Sequence, residues 1–261
     1  MSKPVINFVH ANGFPAGSYR TFLSLFSNDY STIALEQYGH DHNYPIHNNW
    51  QFLVNELVNF VKKQDQKVIC VGHSFGGVIT FMAACQHPEL FRGVVMLDPP
   101  VFSGPLAWFA SIAKKTPLID KVSPAGRAKN RQKYWPSETK LFNNFANKKL
   151  FQNFDPRCLQ DYVDSAVMLK NKRFELMFSP DVEADIFRHI PCNLKTYKNK
   201  LKVPSALVYG EKTDVLPVKY FNRFAKMNDI PLTMIDNGGH MFPLEQPDKT
   251  ADIITEIIKD W

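Results

Sequence analysis

Ser74 and His240 are the two side chains of this sequence best placed for nucleophilic chemistry. Ser74 stands in Val68-Ile69-Cys70-Val71-Gly72-His73-Ser74-Phe75-Gly76-Gly77, and an apolar segment, Val78 to Cys85, follows at once. That order reads as a buried strand, a very tight turn and a helix, with the serine at the apex. Such a turn lifts one side chain out of the sheet and aims the next backbone N–H groups at the same spot. Glycines at 72, 76 and 77 remove side chains that would collide where helix and strand cross. A strand–turn–helix that merely contains a serine would read the same way, so the rest of the chain must decide.

A serine hydroxyl is a poor nucleophile alone. It needs a base within hydrogen-bond reach, a group that orients the base, and donors for the developing oxyanion. For the base, Thr233-Met234-Ile235 leads into Asp236-Asn237-Gly238-Gly239-His240-Met241-Phe242-Pro243. A Gly-Gly turn after the last strand lets a loop present the His240 imidazole. For the oxyanion, one donor is expected from the Phe75 N–H, directly after the nucleophile. The second is expected from His10-Ala11-Asn12-Gly13-Phe14-Pro15, after the first strand. Asn12 is favoured, with Ala11 or Phe14 as alternatives. His10 is expected to shape this loop by hydrogen bonding and to move no proton.

Short β-branched runs followed by turn residues predict strands at Val5–Val9, Thr32–Leu35, Val68–Val71, Val94–Leu97, Ala206–Tyr209 and Thr233–Ile235. Helical spacing separates them, as in Trp50, Leu53, Leu57 and Phe60, or Ile253, Ile254, Ile257 and Ile258. The fold class is therefore α/β, a mainly parallel, doubly wound sheet of about six strands. In such sheets the site lies beyond the carboxyl ends of the strands. From Pro99 to Val203 no strand is expected. Helical patches at Leu106–Lys115, Glu138–Phe151, Leu159–Leu169 and Asp181–His189 predict an inserted α-helical lid. Residues 1–99 and 203–261 would then form the core, and residues 100–202 the cap. No internal repeat is present.

Taken together, Gly72-His73-Ser74-Phe75-Gly76-Gly77, the His10–Pro15 loop, Gln37-Tyr38-Gly39-His40-Asp41 and Gly239-His240-Met241-Phe242-Pro243 resemble the α/β-hydrolase superfamily. The resemblance covers roughly residues 4–100 and 203–261, with the usual N-terminal antiparallel strand pair absent or reduced. It implies acyl-type hydrolysis through an acyl-enzyme, and a lid inserted after the strand ending near Leu97. It leaves the orienting acid open between two positions. Most relatives place the acid after the penultimate strand, here Tyr209-Gly210-Glu211-Lys212-Thr213-Asp214-Val215-Leu216-Pro217. Counting back from Pro217, that position falls on Thr213, and Asp214 is one residue late. Another subset uses an acid after the strand that follows the nucleophile. Asp98 sits there, 24 residues after Ser74, and is favoured over Asp214.

Composition sets the outer limits. The chain has 261 residues, 44% of them hydrophobic, enough for one large α/β domain with an insertion. No apolar run reaches membrane-spanning length. The N-terminus enters a strand directly and lacks a signal-peptide pattern. Cys70, Cys85, Cys158 and Cys192 are scattered, which suggests reduced thiols and a cytoplasmic location. Residues 100–202 hold 19 Lys/Arg and 9 Asp/Glu, against 12 and 16 in the rest. That basic excess would suit anionic substrates or surfaces, or form a solvated face. No nucleic-acid motif accompanies it. His40-Asp41-His42 reads as a structural turn rather than a metal cluster, and neither a metal nor another cofactor is expected. Trp108, Trp135, Phe142, Phe145, Phe154 and Phe178 could line an acyl pocket, although most should be lid core.

The leading expectation is a hydrolase of small or medium carboxylic esters, a monomer or homodimer whose partner is a small-molecule acyl substrate. Thioester, lactone or carbon–carbon bond hydrolysis on the same residues is the alternative within enzymes. A hydrolase-fold small-molecule receptor with negligible turnover is the alternative outside them.

Overall fold

The computed structural model describes residues 3–261; Met1 and Ser2, with which the expected core begins, lie outside them. In chain order the first half runs β1 (Val5–Val9), α1 (Arg20–Ser24), β2 (Ser31–Ala34), α2 (Gln51–Val61), β3 (Val68–His73), α3 (Phe75–Gln86) and β4 (Phe91–Leu97). An inserted stretch follows with α4 (Gly104–Ala113), α5 (Ile119–Val122), α6 (Ala125–Lys129), β5 (Tyr134–Trp135), α7 (Glu138–Ala146), α8 (Pro156–Ala166), β6 (Val167–Lys170), β7 (Arg173–Leu176) and α9 (Pro180–Arg188). The chain returns through β8 (Ser205–Gly210), α10 (Val218–Asn228), β9 (Leu232–Ile235), α11 (Phe242–Glu245) and α12 (Pro247–Ile258).

The main sheet has six strands in the order β2-β1-β3-β4-β8-β9, and every pairing in it is parallel. All six expected strands are present, each within a few residues of its expected bounds. Helices cover both faces. Alternate residues of the central strands divide between two apolar clusters: Val68, Cys70, Val94 and Met96 pack with α2, α3 and α10. Ile69, Val71, Val95 and Leu97 pack with α1, α12 and aromatic residues of the inserted stretch. Burial on both sides explains why these strands read as unbroken β-branched runs. The strand order reverses at β1, which pairs with β2 on one side and β3 on the other. The crevice beyond the ends of β1 and β3 is where such a sheet binds ligands. None of the described helices is long and apolar enough to cross a membrane. All four cysteines carry free thiols.

The inserted stretch departs from its expected all-helical form. Strands β5, β7 and β6 make a small antiparallel sheet. The helix expected over Leu159–Leu169 ends at Ala166, and Val167–Lys170 turns back on Arg173–Leu176. Between them Asn171 and Lys172 both take positive φ, at 49° and 60°, as a two-residue hairpin turn of the right twist requires. Asn-Lys is a weak sequence signal for such a turn, because lysine gains nothing in the left-handed region. Likewise α7 stops at Ala146, and Lys149–Phe151 forms a separate helical turn.

One buried acid gives the fold a testable pH dependence. The Glu56 side chain, on α2, caps the Gly39 N–H at 3.1 Å. Desolvation by burial pushes its carboxyl up to about 7, opposed by the Gly39 hydrogen bond and reinforced by Asp41. Between its unfolded value and about 7 the folded chain binds more proton than the unfolded chain, so stability falls as pH rises through that window. Glu56→Gln keeps an acceptor for Gly39 and removes the titration. Its melting temperature is expected to change less than that of the unsubstituted chain between pH values on either side of the window. An equal change in both proteins would contradict this reading.

Candidate active site

Ser74 links β3 to α3 at φ 54° and ψ −118°, outside the regions an L-residue ordinarily occupies. The turn is held from both sides: the Ser74 N–H donates to the Leu97 carbonyl at 2.7 Å, and the Ser74 carbonyl accepts from Gly77 N–H at 3.0 Å. Asp98, directly after β4, also has a positive φ of 47° and is fully buried. Backbone strain of this kind persists only where surrounding contacts hold it.

The His240 imidazole lies between these two residues. Its Nε2 is 3.0 Å from Ser74 Oγ, and its Nδ1 is 2.6 Å from Asp98 Oδ2. The Asp98 carboxylate also accepts from the Gly210 N–H at 3.2 Å and from Thr213 Oγ1 at 2.5 Å. The structure thus brings Ser74, His240 and Asp98 together. Asp214 is placed differently: it is exposed on the loop after β8 and accepts no hydrogen bond among the described residues. Thr213, at the usual acid position of that loop, turns inward and braces Asp98 instead.

The loop after β1 faces the same point. Two of its N–H groups are already committed, Ala11 to Tyr19 Oη at 3.3 Å and Phe14 to the Ala11 carbonyl at 3.0 Å. The Ala11 and Phe14 N–H groups thus already have acceptors within the protein. Within the described residues the Asn12 and Phe75 N–H groups have no such partner. His10 Nε2 accepts from the Tyr38 N–H at 3.0 Å, so its Nδ1 carries the proton given to the Ala11 carbonyl at 2.8 Å. Burial pushes the His10 imidazole down to about 4, which keeps it neutral in this structural role.

Sequence reasoning missed the residues beneath the site. His73 Nε2 is 2.9 Å from the His240 carbonyl, an acceptor, so this nitrogen carries the proton. His73 Nδ1 must then accept from the Tyr19 hydroxyl at 2.7 Å, and that hydroxyl in turn accepts from Ala11. One buried chain therefore ties the loop after β1, the serine turn and the His240 loop. Burial, aided by the neighbouring His240, holds His73 well below the usual histidine range. Glu245 Oε2 accepts from the Gly239 N–H at 2.7 Å and steadies the same loop. Only the adjacency of His73 to Ser74 could have hinted at any of this; Tyr19 and Glu245 carry no motif.

The inserted stretch closes on the loop after β1. The Asn12 side-chain amide donates to the Glu183 carbonyl at 2.9 Å. A Cβ on Gly13 would stand 2.8 Å from the Glu183 carboxyl carbon. That carboxylate pairs with Arg131, which also donates to Tyr162 Oη at 2.9 Å. The His40-Asp41-His42 turn is structural: His40 Nε2 accepts from the Ser179 N–H at 3.0 Å. Among the described residues no cluster of His, Cys, Asp and Glu could hold a metal ion. A cleft of about 450 Å³ is lined by Gln132, Trp135, Lys140 and Lys148 among others and does not include Ser74, His240 or Asp98.

Comparison with known proteins agrees with this architecture. A model of the alpha/beta hydrolase family matches residues 8–253. An uncharacterized hydrolase, YugF of Bacillus subtilis (strain 168), is 27% identical over 268 residues, which is 96% of this chain and 88% of that protein. The Type I acyl-CoA thioesterase mpaH of Penicillium roqueforti (strain FM164) is 31% identical over 130 residues, covering 49% of this chain but only 27% of the larger protein. The crystal structure of E-2-(acetamidomethylene)succinate hydrolase superposes with a TM-score of 0.82 at 18% identity, covering 99% of this chain and 92% of the other. At that identity the likeness bears on the fold alone.

Proposed function

Since this chain belongs to the α/β hydrolase family, we propose that it is a serine hydrolase of small or medium carboxylic esters. The observation that carries this reading is the run Ser74 Oγ, His240 Nε2, His240 Nδ1, Asp98 Oδ2, with links of 3.0 and 2.6 Å. In this mechanism Ser74 Oγ attacks the acyl carbonyl while His240 Nε2 takes the hydroxyl proton. Asp98 fixes the tautomer that leaves Nε2 free to do so, and its charge stabilises the imidazolium. The N–H groups of Phe75 and Asn12 hold the oxyanion of the tetrahedral intermediate. Collapse of that intermediate breaks the ester C–O bond, and His240 gives its proton to the departing alcohol. A water, deprotonated by the same Nε2, then attacks the acyl-enzyme and releases the acid. Losing one oxyanion donor from such a site costs roughly two to three orders of magnitude in kcat. The stretch 100–202, which supplies Glu183 above Asn12, acts in this reading as the cap over the acyl group.

A fluorophosphonate probe reacts only with a serine made nucleophilic by its neighbours. It is expected to label the native chain once, at Ser74, and to leave Ser74→Ala unlabelled. Turnover of p-nitrophenyl esters should accompany labelling and depend on chain length. A native protein that neither forms the adduct nor turns over any ester of the series would exclude the hydrolase reading and favour a receptor.

Thioester hydrolysis is the second reading. It is favoured by the partial similarity to an acyl-CoA thioesterase and by the basic excess of residues 100–202, which suits an anionic leaving group. A kcat/KM for acyl-CoA well above that for the matched p-nitrophenyl ester would select it.

A further inference from the structure

Helix α4, Gly-Pro-Leu-Ala-Trp-Phe-Ala-Ser-Ile-Ala, is apolar on nearly all sides. Ala110 and Ala113 face the protein, and Leu106 packs against the core. A helix at a protein surface ordinarily turns polar residues outward. Here Trp108 is 67% exposed, Phe109 45% and Ile112 46%. The neighbouring α5 packs beside it and adds Val122, with Leu118 just before, both also exposed.

The chain segment that carries this face is predominantly basic. Residues 100–130 contain five basic side chains, Lys114, Lys115, Lys121, Arg127 and Lys129, and a single acid, Asp120. Asp120 is taken by Arg188 through bonds of 2.7 and 2.6 Å. Lys114 is also spent, on the Asn49 side chain and the Ile190 carbonyl. The other four basic residues are exposed. Exposed tryptophan, phenylalanine and isoleucine on a segment that also carries exposed lysine and arginine match the interface of an anionic bilayer. There the apolar side chains enter the headgroup boundary and the cations meet lipid phosphate. A second copy of this chain fits worse, because pairing the two faces would oppose two basic segments.

We propose that the outer face of α4 and α5 is a docking surface for an anionic lipid membrane. It leaves the hydrolase reading aside, since its readout is binding and not turnover. Trp50 and Trp135 are buried and Trp261 is half-buried, so Trp108 is a built-in fluorescent reporter. The full chain is mixed with phosphatidylglycerol–phosphatidylcholine vesicles and, separately, with pure phosphatidylcholine vesicles. It should sediment with the anionic vesicles, with its emission shifted to shorter wavelength, and much less with the neutral ones. Trp108→Phe should abolish the shift and still sediment. A Lys115→Gln and Lys121→Gln double variant should partition about 30-fold more weakly onto the anionic vesicles. Replacing Phe109 and Ile112 by serine should weaken partition by at least about tenfold. These side chains are exposed, so unchanged thermal melts are expected, and the lysine pair remains informative if the apolar variant melts early. Absence of sedimentation with anionic vesicles would overturn the proposal. So would a lipid-free, concentration-dependent emission shift accompanied by a doubled mass in analytical ultracentrifugation, which would give this face to a second copy.

Discussion

Asp98→Asn should lower kcat for ester hydrolysis by about 10⁴-fold, and Asp214→Asn should leave it within about twofold. The asymmetry follows from what each side chain touches. Asp98 is fully buried and its carboxylate accepts from His240 Nδ1, Thr213 Oγ1 and the Gly210 N–H. An amide at this position keeps the shape but has one oxygen for three donors. If its NH₂ faces His240, the imidazole must carry its proton on Nε2, where it can no longer accept the serine proton. KM should change little, because the Asp98 carboxylate is fully buried and Asp214 is exposed on its loop. Rates measured with a single p-nitrophenyl ester at fixed pH would decide. Equal, mild losses in the two variants would remove both assignments, and a large loss in Asp214→Asn alone would reverse them.

The same residues explain what the sequence could and could not convey. Ser74 and His240 were legible because each sits at a fixed remove from a strand end, and strand ends announce themselves through β-branched runs and glycines. The acid was only partly legible, with Asp98 favoured over Asp214, because two strand ends each offered one. The choice turned on which way a surface loop faces, and a one-residue offset between Thr213 and Asp214 reverses that facing. The donors of the loop after β1 were only half legible. Which N–H groups are spent depends on Tyr19, whose partner His73 is 54 residues away. Contacts of that reach leave no local pattern.

In the core, the four central parallel strands are mostly buried and the two edge strands only partly so, yet each carries a short β-branched run, and all six were readable. In residues 100–202 the pattern is mixed, and marginal local propensity was settled by packing. Val167–Lys170 could extend α8, but pairing with Arg173–Leu176 satisfies its backbone instead. Of the aromatic residues expected as lid core, Trp135, Phe145, Phe154 and Phe178 are buried, whereas Trp108 stands out in solvent. An apolar helix gives no sequence sign of which side lacks a neighbour.

Gly76→Ala is expected to be the most damaging single-methyl change in the molecule. A Cβ there would lie 2.1 Å from the Val9 carbonyl oxygen and 2.7 Å from that of His10. Both are backbone atoms at the end of β1, so no side chain can swing away. Either the first turn of α3 or the end of β1 must retreat by more than about 1 Å to restore ordinary contact. Alanine ordinarily gains about 1 kcal/mol over glycine within a helix, and that gain is small against the clash. A net loss of about 3 kcal/mol or more is expected in urea denaturation. Gly77→Ala provides the contrast: its Cβ would meet the Gly72 carbonyl oxygen at 2.9 Å and Pro99 Cβ at 3.2 Å. There the overlap is slighter and the helix gain offsets part of it, so the loss of stability should be smaller than at Gly76. Activity should follow the same order, because the displaced contact joins the Phe75 N–H to the loop that carries the Asn12 N–H. Were Gly76→Ala as stable and as active as the unsubstituted chain, the close approach of α3 to β1 would not be what shapes the serine turn.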